Sequence, residues 1–493
     1  MTMRKTYLAL GLVVGLGVLA MFGCGSNSST STPTSTPAGN GSLVLMGTDA
    51  PLCNVYSFTV TISGITLTPQ GGGSPVSILG AGQTMTVDFL RLMDFNTVLK
   101  LASVPVGTYS QMTLTLTSAQ LTVIDVTQTP PVPIPITTSL QNATVTINLD
   151  PALDITKDGT ASLLVDFHLF RSVMTMNNQV TGEVNPVMTV SRMSPTTQDG
   201  LGRLDDLHGI VQSVSTTSSN SAFIGSFTLQ RGAGFGPVLT INVTSNTEFE
   251  GAPALSLSNL AQGSFVEVYA KVDTSGNIVA REVEVEGLVE GQGRAAFEGI
   301  VIWVDLPGQT TQFVMFVREE HPDVSSSIPL RSPLTVNLSG ATNFKILRPA
   351  INQASLTFGP TNIGVGQTVI AYGNFQTGTP NTLAADGVAL RPQTVRGTFG
   401  QLLGPAPAGT LVGGFNMVPC APLFKGQAIT VFTFADTEFY GVSDLSGLNN
   451  QTPVHARGLL FYEPGTTTIN GITVTPPSMV MEANRVGQRP AGD

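Results

Sequence analysis

The chain has 493 residues, enough for several domains, and only 11% of them are charged. Its net charge of −10 comes without any cluster of lysine or arginine, which excludes a nucleic-acid surface and an electrostatic grip on anionic lipid. Fifty-three glycines and 32 prolines point to short strands joined by tight turns rather than to helices.

At the N-terminus, Arg4 and Lys5 precede an uncharged run from Leu8 to Gly23. That run is too short to span a hydrocarbon core of ~30 Å, but it suits the apolar region of a signal peptide. The residues Ala20-Met21-Phe22-Gly23-Cys24 resemble the lipobox of bacterial lipoproteins, with Met21 and Phe22 departing from the usual types. The resemblance implies a signal peptide over residues 1–23 and lipidation of Cys24. Loss of Arg4 and Lys5 with that signal moves the net charge from −10 to −12. Gly25 follows the cysteine, where an aspartate would signal inner-membrane retention in enteric bacteria. The expected address is therefore the cell envelope, with outer-membrane placement favoured, on its periplasmic or surface face.

Residues 24–40 hold the cysteine and a Ser/Thr/Pro stretch with no large apolar side chain, which reads as a disordered tether. A coil of this kind reaches roughly 20–25 Å on average. From Gly41, strands with period-two alternation begin, as in Ser57–Ile62, Gln111–Leu116 and Ala143–Leu149. The Pro-rich Thr129–Pro135 reads as an edge strand or a loop. Val87–Leu101 has helix-compatible spacing and is expected to form one covering helix. Residues 41–195 thus read as an antiparallel β-sandwich.

Gly47-Thr48-Asp49-Ala50-Pro51, Val87–Leu92, Val104–Tyr109, Leu164–Phe167 and Asn185-Pro186-Val187 together resemble a bacterial envelope family, domain of unknown function 4382. The resemblance implies an immunoglobulin-like or prealbumin-like sandwich and carries no activity with it.

The remainder repeats. His208-Gly209, Glu298-Gly299 and Arg396-Gly397 open three similar segments, and each later reaches a Thr-x-Phe: Thr247-Glu248-Phe249, Thr342-Asn343-Phe344 and Thr437-Glu438-Phe439. The threonines are spaced 95 residues apart both times, which fixes the repeat length. Each repeat reads as a small β-barrel, over residues 205–288, 296–394 and 395–488. The phenylalanine is expected to plug the barrel, the threonine to begin a strand and the opening glycine to relieve crowding at a bend. The segments resemble a second envelope family, domain of unknown function 5666, which implies OB-like barrels. The expected fold is all-β: one sandwich followed by three tandem barrels.

Cys53 and Cys420 could pair in an oxidising compartment, but their places in different domains favour two separately buried thiols. His168, His208, His321 and His455 show no metal-ligand spacing and read as exposed or core-edge residues, with His208 facing solvent at a strand start. Strand alternation would put Trp303 on the face of Val301, but its flanking residues are apolar too, so either face could be buried; it reads as core packing. There is no GxSxG elbow and no phosphate-binding loop. No catalytic residue, metal ligand or cofactor is assigned.

The first functional reading is a membrane-anchored, non-catalytic binding or structural module, with an envelope protein or glycan as partner. Two alternatives use the carboxylates Asp49, Asp88, Asp94 and Asp166. One is a glycan-directed hydrolase relying on Asp88 and Asp166, and the other is Ca²⁺-dependent adhesion.

Overall fold

The computed structural model describes residues 39–488 except 49–51, 93–95, 177–178, 233–237, 252–255, 289–292, 348–355, 405–410, 451–452, 470–471 and 477. Cys24, the tether, Asp49 and Asp94 lie outside the described residues.

The first part is a two-sheet sandwich. One sheet runs Met188–Arg192, Thr160–Phe167, Asn40–Thr48, Thr97–Pro105. The other is built on the antiparallel pair of Ser57–Pro69 with Gly107–Asp125. One departure from the antiparallel expectation is that Asn40–Thr48 runs parallel to Thr160–Phe167. Alternate residues of both sheets fill the space between them, with Phe58, Phe89 and Phe167 at its centre; the Phe58 and Phe167 ring centroids are 5.1 Å apart. The proline-rich segment forms Val132–Ile136, an edge strand. The expected helix over Val87–Leu101 is absent. Met85–Asp88 and Thr97–Pro105 are strands, and among the described residues between them Phe89–Leu92 coils, as a single 3₁₀ turn buried at all four residues. The apolar spacing reflects two strands flanking a tight corner.

Three barrels follow with one topology. Their strands are Gly202–Ser215, Gly225–Gln230, Leu239–Val243, Ser264–Val272 and Ile278–Leu288 in the first. The second uses Arg294–Val304, Gln312–His321, Pro333–Asn337, Thr368–Gln376 and Thr382–Leu390. The third uses Pro392–Leu403, Leu411–Pro419, Ile429–Tyr440, Val454–Glu463 and Ser478–Gln488. In each, the first strand pairs with the second and fourth, the fourth pairs with the fifth, and the fifth closes parallel onto the third. This is the closed five-stranded Greek-key order of OB-like barrels.

The repeated threonine has a repeated job. Thr247 Oγ1 accepts from Thr244 N and donates to Ala280 O; Thr342 does the same with Ser339 N and Ala385 O; Thr437 does so with Phe434 N and Ala483 O. One hydroxyl thus closes a turn and ties it to the last strand. The opening glycine is equally explicit. A Cβ at Gly209, Gly299 or Gly397 would lie 2.1, 2.2 or 2.3 Å from the carbonyl oxygen of Gln230, Phe316 or Val418. Phe249, Phe344 and Phe439 are only half-buried and pack on the core from its edge. The plugs are instead Phe227, Phe313 and Phe415, from the second strands, each at most 1% exposed. The edge phenylalanines recur because they follow the threonine turn.

The domains are not separate beads; the described residues form one compact unit. Leu43 and Leu45 face the sandwich core, while Val44 and Met46 enter the core of the first barrel. That strand is apolar without alternation because both of its faces are covered. Barrels two and three share a core through Phe432, Phe434 and Phe461. This packing overturns the expectation for the cysteines, since Cys53 and Cys420 are joined in a disulfide. Trp303 packs against a hydrophobic cluster, as expected, but not on the face of Val301. A bulge between Val301 and Trp303 breaks the alternation, so Val301 stays in the barrel core while Trp303 joins an outer cluster with Ile302 and Tyr56.

Candidate functional site

Two places concentrate chemistry in a chain that is poor in charge. The first is a buried ionic junction where the sandwich, the first two barrels and the link to the third meet. Asp88 accepts from Ser57 Oγ at 2.8 Å, Phe58 N at 3.0 Å and Leu90 N at 3.2 Å, which fixes the 3₁₀ turn and aims Arg91 outward from the sandwich. Arg91 meets Glu298 at 3.4 Å and also pairs with Glu319, both from the second barrel. His208, on the first barrel's opening strand, lies with Nε2 2.8 Å from Glu319 and 3.3 Å from Glu298. Arg391, in the link between barrels two and three, pairs with Glu298 and reaches Glu267 at 3.0 Å. Strand register builds the cluster, since His208 lies opposite Glu267 and Glu298 opposite Glu319.

Electrostatics follow from this crowding. Burial works against charge on Glu319, yet Arg91 and the two histidines outweigh it and hold the carboxyl well below its usual range. Burial likewise opposes charge on His208, but Glu319 and Glu298 raise its pKa above the ordinary value. Burial, with His208 and Arg91 beside it, outweighs Glu319 and pushes His321 down to about 4. His208 and His321 are 3% and 1% exposed, against the expectation of solvent-facing or core-edge rings. Sequence spacing concealed them because separate barrels bring them together, with ring centroids 5.0 Å apart.

His208, Glu319 and His321 place ligand atoms within 4.8 Å of one another, close enough to share a metal ion. The surroundings do not suit one. Arg91 already occupies the Glu319 carboxylate, and Arg391 Nη1 lies 3.1 Å from His208 Nδ1. A cation shared by these atoms would also sit against the Arg91 guanidinium, whose Nη2 lies 3.4 Å from His208 Nε2. The junction is an ion-pair lock.

The two expected carboxylates among the described residues, Asp88 and Asp166, lie apart. Asp88 belongs to the strand pair with Ser57–Pro69 and is spent on capping, whereas Asp166 sits in the other sheet, 3.9 Å from His168. They do not form an acid–base pair.

The second place is an open cleft of about 750 Å³ between the first and third barrels. Its walls carry Arg203, Lys271, Arg281 and Arg485 together with Glu248, Glu282, Asp436 and Glu438. Arg203 from the first barrel and Arg485 from the third both engage Glu438, at 3.5 and 2.9 Å. Glu282 is raised to about 7 by burial, with Glu250 and Glu248 beside it. This cleft was missed from sequence. Its one signal was Arg281-Glu282-Val283-Glu284-Val285-Glu286, an alternation of acid and valine in a chain short of charge.

Residues 40–183 match the family model of Domain of unknown function (DUF4382), and residues 208–284 match that of Domain of unknown function (DUF5666). No curated protein matches the chain. Among solved structures, a chain described as drosophila Unr CSD456 aligns at 12% identity over 58% of this chain and 97% of its own, with a TM-score of 0.14. Among the described residues, no helix is long and apolar enough to cross a membrane. Taken with the sandwich and the barrels, the chain carries a DUF4382 domain followed by a DUF5666 domain, both of unknown function.

Proposed function

We propose that this protein is a lipid-anchored cell-envelope binding module that does no chemistry on its ligand. The observation that carries the reading is the cleft. Its volume falls in the range of ligand sites, ~300–1,000 Å³, and its lining mixes both signs of charge on two rigid barrels. Such a lining suits a hydrophilic, charged envelope component, a protein segment or a glycan, rather than a lipid. The disulfide between Cys53 and Cys420 supports an oxidising compartment. The lipobox-like Cys24 supports tethering to the membrane, with the outer membrane favoured.

A second reading, a carboxylate-dependent hydrolase, is favoured by one observation: Glu282 is raised to about 7 inside the cleft. Glycan, ester and peptide panels with the purified mature chain separate the two. The binding-module reading predicts no turnover. Turnover that Glu282→Gln removes without lowering the melting temperature would establish the hydrolase instead.

A further inference from the structure

Beside the ionic lock, a cavity of about 70 Å³ is lined by four arginines, Arg91, Arg318, Arg391 and Arg457, and by a single carboxylate, Glu298. Thr368 and Thr394 add hydroxyls to its wall. Arg91 and Arg391 are held by the carboxylates already described. Arg318 is different. It is 9% exposed, and its Nε and Nη2 have no hydrogen-bond partner. It sits at a register shift, between Val317 opposite Gly299 and Glu319 opposite Glu298, and lines the cavity beside the lock.

A buried guanidinium with two unused donors is costly, and three further cations around the same space increase the cost. Burial lowers the Arg318 pKa and Arg91 adds to that effect, with Asp88, Glu298 and Glu319 only partly opposing it. Burial, followed by Arg91 and Arg457, brings Arg391 well below its usual value. The missing element is negative charge with several acceptor lone pairs. The volume exceeds the ~10–15 Å³ that one water requires and accommodates a tetrahedral oxyanion. The planar fork of arginine matches such an anion with two parallel hydrogen bonds.

The geometry points to this cavity as a binding site for a small free oxyanion of sulfate or phosphate size, with Arg318 as its principal donor. A second cavity of about 70 Å³ shares Leu90, Ile300, Arg318, Gln393 and Thr394 with the first and continues to the Cys53–Cys420 disulfide. Arg318 therefore stands where the two spaces join. The anion would neutralise excess positive charge between the sandwich and barrels two and three, complementing the adjacent lock. This inference is independent of the cleft reading.

The test uses the full described chain in a chloride buffer. Calorimetric titration with inorganic phosphate and with sulfate, against equal ionic strength of chloride, should show one saturable site and a matching rise in melting temperature. Arg318→Gln should weaken binding roughly ten- to hundredfold, the loss of a charge-assisted hydrogen-bonding pair. Its anion-free melting temperature should not fall, because an unpaired buried cation is removed. Arg318→Lys, which keeps the charge but not the fork, should bind with intermediate affinity. Anion chromatography of the supernatant from denatured wild-type protein should recover up to one oxyanion per chain. No saturable binding and no released anion would overturn the proposal, as would unchanged affinity in Arg318→Gln.

Discussion

Cys53 of the sandwich and Cys420 of the third barrel, 367 residues apart in sequence, are bonded to each other. The bond ties the first described domain to the last and closes the chain of domains into a ring. Replacing both cysteines with serine should destabilise the protein by roughly 2–5 kcal/mol, chiefly by freeing the unfolded chain. Chemical denaturation of the double variant under non-reducing conditions measures this. Identical midpoints would mean that the packed cores alone hold the ring closed.

The ionic lock should fail by loss of one partner rather than by gradual weakening. Glu319→Ala leaves Arg91 and His208 buried without their shared carboxylate. A cost of about 3–5 kcal/mol is expected for breaking such a buried network. Because the lock lies between domains, solution scattering should show an expanded particle before global unfolding. A compact variant of normal stability would show that the lock carries no load.

Stability should fall as pH rises above about 5. Glu267, Glu282, Glu284 and Glu286 lie on one face of the first barrel, with Glu284 directly opposite Glu267. Burial, reinforced by neighbouring carboxylates at Glu267, Glu282 and Glu284, pushes them to about 8, 7, 9 and 7. Their ordinary value is 4.5, so between that value and about 9 the folded state holds more protons than the unfolded state. Their contribution is complete below the unfolded value and is lost as pH climbs through the folded values. Glu319 works oppositely, losing its contribution in acid. Melting curves from pH 5 to 9.5 should decline, and Glu284→Gln should flatten the decline. A flat wild-type profile would contradict the burial of this ladder.

The repeat signature can be tested in all three barrels. Gly209→Ala, Gly299→Ala and Gly397→Ala each drive a methyl group against a backbone carbonyl and should cost more than about 1 kcal/mol. Gly340→Ala, which meets nothing within 4 Å, is the control. Thr342→Val should cost roughly 1–3 kcal/mol by stranding Ala385 O and Ser339 N. Equal effects at Gly299 and Gly340 would show that the carbonyl approach is unimportant.

The barrels were legible because their signature is local. A threonine that closes its own turn, three residues after the group it accepts from, leaves the same short pattern in each copy. Strand alternation likewise disclosed the sandwich. The covering helix was misread because Val87–Leu101 is two strands around a 3₁₀ corner, and buried apolar residues at such a corner imitate helical spacing. The lock was not legible. Arg91, His208, Glu319 and Arg391 belong to different domains, and pattern within one strand cannot show what packs against its outer face. Val317-Arg318-Glu319-Glu320-His321 was still a visible clue, four polar residues closing an apolar strand. The disulfide was lost for the same reason, since domain packing and not spacing brings Cys53 to Cys420.

The most direct measurement is in-cell photo-crosslinking from Asn246 on the cleft wall, in the tagged chain, beside Cys24→Ser and the double variant Arg203→Glu/Arg485→Glu. The account predicts one defined protein or glycan partner that is captured by the wild-type chain and lost when the anchor or the cleft charge is altered. Capture that is absent, or unchanged in both variants, would contradict a tethered binding module that works through this cleft.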